Sequence, residues 1–72
     1  MEEQRWGRRI RAFRKLKGYT QESFARDLGI SVSVLGEIER GNRQPKQELV
    51  SRMATLFQIS IDELTEDGSL QQ

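Results

Sequence analysis

A chain of 72 residues makes a single domain near the small end of what folds unaided, so its core has to be local and economical or be completed by a second chain. It contains neither Cys nor His, which excludes a disulfide, a thiolate or imidazole metal site and the usual catalytic bases and nucleophiles. The formal net charge is only +1, yet residues 1–18 carry seven Lys or Arg against two Glu, while residues 45–72 carry two against five acids. That dipole gives the N-terminal end a preference for phosphate that the acidic end lacks.

The first helix is expected from about Glu3 to Lys17, stopped by Gly18. Trp6, Ile10 and Phe13 share one face of it, and Arg8, Arg11 and Lys15 the opposite one, which on charge alone reads as a solvated surface. Arg5 and Arg9 are better placed to reach a phosphate backbone from the flank. Arg14 stands at i+4 from Ile10, on the border of the apolar face, where a charge needs a partner. Glu39 borders the core in the same way, beside Ile38 and four residues after Leu35, so Arg14 and Glu39 are expected to pair and fasten two helices together.

From Thr20 to Gly41 the pattern is two short helices around a tight turn. Thr20 can cap a helix over Gln21 to Leu28, in which Phe24, Ala25 and Leu28 form an apolar face, and Gly29 follows where helices end left-handed. Ser31 can cap the next helix. There Leu35 and Ile38 face inward, while Ser33, Gly36, Glu37 and Arg40 fall on the outer face. Two short helices, a glycine turn and a polar outer face are the sequence form of a helix-turn-helix.

Pro45 prevents an early start of a fourth helix, expected over Gln47 to Phe57, with Val50, Met53, Ala54 and Phe57 toward the core. Gln58 follows, and a left-handed conformation would cost this residue more than glycine, so a different turn is expected there. Ser60 to Glu63 has the form of a capping box, with Ile59 and Leu64 as its hydrophobic staple, starting a short fifth helix at Ile61. Residues 1–65 thus read as one all-α domain of five short helices, and residues 66–72 as a flexible C-terminal tail. With no apolar run of membrane-spanning length, the expected location is the cytoplasm.

The run from Arg8 to Leu64 resembles the Xre-type helix-turn-helix family, the group of the lambda-like phage repressors and Cro. The resemblance is carried by RxxRxxKGYTQESFA, DLGIS, IERGNRQP and LFQISIDEL, with Gln21, Ala25, Gly29, Ser31, Ile38, Glu39, Gly41 and Pro45 in family positions. It implies a lambda-repressor-like fold and a sequence-specific regulator of transcription, most simply a repressor, whose third helix enters the major groove of double-stranded DNA. The groove-facing residues would be Ser31, Val32, Ser33, Gly36 and Glu37. Gln21 would bond a phosphate from the start of the second helix, and Arg40, Asn42, Arg43 and Gln44 suit phosphates near the end of the third. The same resemblance implies an Arg14–Glu39 pair.

Base-edge chemistry refines this. Val32 offers methyls to a thymine methyl, Ser33 bonds several bases, and Glu37 accepts from cytosine N4. The apolar or small Val32, Val34 and Gly36 leave a second reading open: a protein-interaction module that keeps the fold without specific DNA binding. One short helix covers few base pairs, so a homodimer on inverted half-sites about 34 Å apart is expected. Its contact surface would be Ile61, Leu64 and Leu70, unless Ile61 and Leu64 simply close the monomer core. Asp62, Glu63, Glu66 and Asp67 need no catalytic role, and no phosphate loop occurs, so neither an enzyme, a cofactor, a metal nor a small-molecule effector is expected.

Overall fold

The computed structural model describes residues 5–65, which form five helices and, among the described residues, no strand. They are α1 (Arg5–Leu16), α2 (Gln21–Leu28), α3 (Val32–Glu39), α4 (Gln47–Phe57) and α5 (Ile61–Thr65). The start expected for the first helix and the tail at residues 66–72 lie outside the described residues.

Local chemistry sets most boundaries. Thr20 caps α2 with a reciprocal pair of bonds, its Oγ1 accepting from the Ser23 amide at 3.0 Å and the Ser23 Oγ accepting from the Thr20 amide at 3.0 Å. Gly29 ends α2 at φ 79°, and its amide donates to the Ala25 and Arg26 carbonyls. Ser31 then caps α3, accepting from the Val34 amide at 3.1 Å. At the start of α5 the Ser60 Oγ accepts from the Glu63 amide at 2.9 Å. Gln58 keeps the ordinary turn after α4: it adopts the left-handed conformation itself, at φ 61°, and its amide bonds the Ala54 and Thr55 carbonyls. A left-handed non-glycine costs about 1 kcal/mol or more, so the two hydrogen bonds and the packing of Ile59 beyond it must outweigh that strain.

Ile10, Phe24, Leu28, Leu35, Ile38, Met53, Phe57 and Leu64 are buried in one cluster drawn from all five helices. Each such side chain contributes roughly 1.5–3 kcal/mol on leaving water. At its centre the Phe24 and Phe57 rings stack at 4.7 Å, with Phe13 and Tyr19 against Phe57 at 5.7 and 6.4 Å. Leu64 is 1% exposed and belongs to this core, whereas Ile61 is 37% exposed. α5 therefore divides the two residues between interior and surface.

α1 crosses α3 at Gly7. A Cβ there would stand 2.6 Å from the Ile38 carbonyl oxygen and 2.7 Å from that of Glu39, so only glycine lets the two backbones approach this closely. Arg9 completes the seam between α1 and α5: its Nε donates to the Leu64 carbonyl at 2.9 Å, its Nη2 donates to the Glu63 carbonyl, and its guanidinium lies over the Phe13 ring. Arg9 is thus a structural clamp, not the phosphate-reaching residue that its position in the sequence suggests. On the far side Arg52 donates to the Leu28 carbonyl at 2.8 Å, joining α4 to the end of α2.

Candidate nucleic-acid interface

The outer face of α3 is narrower than the helical wheel indicates. Val32, Ser33 and Arg40 are exposed and Glu37 partly so, but Gly36, expected among the groove-facing residues, is buried. Arg40 causes this by folding back one turn, so that a Cβ on Gly36 would meet its Nη1 at 3.1 Å. Val34, also expected outside, is half-buried against the core. What α3 offers a partner is therefore Val32, Ser33 and Glu37, edged by the Arg40 guanidinium.

Behind this face the Arg14 and Glu39 side chains meet. Arg14 Nε donates to Glu39 Oε2 at 2.6 Å and Nη2 to Oε1 at 3.2 Å, while Nη1 donates to the Tyr19 carbonyl at 2.9 Å. Both residues are only 7% exposed. A third group joins them, since Gln21 Nε2 donates to Glu39 Oε1 at 3.0 Å. Gln21 is held in place by a residue of α3, and its amide nitrogen keeps a second N–H for an outside acceptor.

Beside Gln21 an open depression of about 1040 Å³ is lined by Arg8, Arg11, Thr20, Gln21, Arg40 and Asn42, with Glu22 and the Arg14–Glu39 pair, so that among the described residues three free arginines face one free carboxylate. The start of α2 and the positive end of its dipole lie at the same place, where the Thr20 and Ser23 amides are already taken by the capping box. Arg8 and Arg11, which read as solvated surface from charge alone, are thus gathered with Arg40 around one hollow. No local signal marks this: it arises because α1 and α2 both pack on α3, a long-range arrangement that a wheel of α1 cannot display.

On the opposite flank Glu37 has a partner. Arg43 Nε donates to Glu37 Oε1 at 2.7 Å, and both side chains remain substantially exposed. Arg43 and Gln44 also line a smaller hollow with Val34, Pro45 and Lys46. Glu37 is therefore not a bare negative charge on the exposed face of α3, and Arg43 is tethered to that face. Among the described residues no group of three or more acidic side chains could hold a metal ion, and no helix is long and apolar enough to cross a membrane.

Two short helices at a glycine turn, an exposed face on the second and a basic hollow beside it define a helix-turn-helix protein of the all-α, lambda-repressor-like class. A family model described as helix-turn-helix matches residues 10–64. The chain belongs to this Xre-type helix-turn-helix family of transcriptional regulators. It is 67% identical over 64 residues to the uncharacterized HTH-type transcriptional regulator YazB of Bacillus subtilis strain 168, covering 89% of this chain and 93% of that one. It is also 36% identical to the HTH-type transcriptional regulator SlrR of the same organism, over 81% of this chain but only 39% of SlrR. Among solved structures, the restriction-modification controller protein C.AhdI from Aeromonas hydrophila superposes with a TM-score of 0.81 at 33% identity, over 88% of this chain and 96% of that one. The clp gene regulator ClgR from Corynebacterium glutamicum gives a TM-score of 0.83 at 26% identity, over 89% of this chain and 68% of ClgR.

Proposed function

We propose that the protein is a sequence-specific DNA-binding repressor that inserts α3 into the major groove and acts as a homodimer on an inverted repeat. One observation carries the reading: α3 exposes Val32 and Ser33, with Glu37 partly exposed, and ends at Arg40, which also lines a hollow with Arg8, Arg11, Gln21 and Asn42. The face suits base edges and the hollow suits the adjoining phosphates. Ser31, Val32, Ser33 and Glu37 are assigned to the bases. Gln21, Arg40, Asn42 and Gln44 are assigned to the backbone, joined by Arg8 and Arg11. Gly36 is not assigned a contact, because Arg40 covers it. The domain spans residues 1–65, works in the cytoplasm where its DNA is, and needs no cofactor or effector.

The dimer contact is assigned to α5, where Ile61 stays exposed while Leu64 closes the core. Repression follows from occupancy, since a protein seated in the groove excludes others from the same base pairs. Selection of short duplexes from a random pool with the purified protein tests the reading. Enrichment of an inverted repeat with half-sites about 34 Å apart is the expected result. Affinity for that site should fall with salt at a slope of about −0.9 per phosphate contacted. A flat salt response with nothing enriched would favour a protein-interaction module instead. A monomer by light scattering, free and on DNA, would remove the dimer.

A further inference from the structure

The Glu37–Arg43 pair has a property that neither residue has alone. Arg43 engages Glu37 Oε1 through Nε, at 2.7 Å, and through no terminal nitrogen. Among the described residues, both Nη groups of Arg43 keep their donors and Glu37 Oε2 keeps its lone pairs. The two side chains are 53% and 39% exposed, on the solvent side of the recognition helix. The pair thus presents two donor groups and one acceptor on a charge-neutral edge. In the major groove a G·C pair presents guanine N7 and O6 as acceptors and cytosine N4 as a donor. The two patterns are complementary.

We infer that Arg43 and Glu37 act together as the reader of one G·C pair in each half-site, with the Arg43 terminal nitrogens on guanine and Glu37 Oε2 on the cytosine amine. This rests on the DNA-binding reading above. It moves Arg43 from the phosphates, where its loop position suggests it belongs, to the bases. The tether has a physical purpose. A free arginine side chain carries many rotamers, and fixing its Nε removes part of the ordering cost before DNA arrives. It also resolves the difficulty of a carboxylate facing DNA, because Arg43 neutralises the charge while leaving one oxygen free to accept.

The experiment begins with the wild-type protein selected on random duplexes, so that a failure to enrich any site speaks against DNA binding itself and not against this pair. On the enriched site, binding is then compared for wild type, Arg43→Lys and Arg43→Ala, with each base pair substituted in turn. Arg43→Lys keeps the positive charge but lacks the planar fork. It is expected to lose roughly tenfold or more of the discrimination at one G·C position per half-site, with the other positions unchanged. Glu37→Ala should relax the same position. A phosphate role for Arg43 predicts the reverse: Arg43→Lys close to wild type, and Arg43→Ala weaker on every sequence alike, with a salt slope smaller by about 1 and the guanine preference intact. That outcome would overturn the inference.

Discussion

Two arginine–glutamate pairs lie on opposite sides of α3, with nearly identical shortest distances and opposite consequences. Arg14–Glu39 closes at 2.6 Å with side chains 9% and 3% exposed, and Arg43–Glu37 at 2.7 Å with side chains 53% and 39% exposed. Distance does not distinguish them; what does is the number of bonds, two between the first pair and one in the second, and the access of solvent. In the buried pair neither charge can recover its hydration if the other is removed, and the Gln21 amide and Tyr19 carbonyl satisfy the remaining groups. The exposed pair exchanges one set of hydrogen bonds for water at little cost. The first can therefore hold α1 to the recognition helix, and the second is free to exchange its contacts with a partner.

The largest expected effect breaks the buried side of this contrast. Glu39→Gln leaves the Arg14 charge without a counter-ion in a nearly dry site, and a loss of about 3 kcal/mol in unfolding free energy is expected. For a domain of this size that means a melting temperature lower by roughly 12 °C or more, readable by circular dichroism. An unchanged melting temperature would show that water reaches the pair. Gly7→Ala comes next and asks whether the ion pair alone sets the distance between α1 and α3. The added methyl meets two carbonyl oxygens of the α3 backbone, which cannot rotate away as a side chain would. A loss of about 1–3 kcal/mol is expected, measured in urea. No loss would mean that α1 slides along α3 without penalty, and the buried pair would then be a tether and not a fixed joint.

These residues also show why one part of the molecule is legible in the sequence and another is not. Caps are legible because Thr20, Gly29 and Ser31 act on amides and carbonyls within four residues of themselves. Arg14 is legible as a charge that needs a partner, because it breaks the edge of a periodic apolar face. Arg9 gives no such warning: its acceptors are backbone carbonyls 54 and 55 residues away, and a carbonyl has no side-chain signature. Gly7 does leave a trace. Glycine inside a helix costs about 1 kcal/mol relative to alanine, so its presence in α1 hints at a close approach, though not at the element approached. The burial of Gly36 hides for a different reason, since its cover is the flexible end of Arg40, four residues on, which a wheel treats as an outer-face neighbour. The basic hollow needs three helices in register before Arg8 and Arg11 meet Gln21.

The smallest expected change in stability sharpens the exposed side of the contrast. Glu37→Gln removes the same charge by the same substitution as Glu39→Gln, on the same helix, so the difference between the two variants reports burial together with the extra bonds that Glu39 accepts. The exposed pair is screened, and holding two long side chains together costs entropy, so a change of no more than about 0.5 kcal/mol is expected. At roughly 1 M salt, where the Debye length falls to about 3 Å, even that difference should vanish, while the deficit of Glu39→Gln persists because ions do not enter its site. Urea unfolding of both variants at low and high salt provides the check. If Glu37→Gln were to lose as much as Glu39→Gln, Arg43 would be a structural latch for the loop after α3. The fold alone would then account for the bond to Glu37, and the assignment of this pair to recognition would lose the observation it rests on.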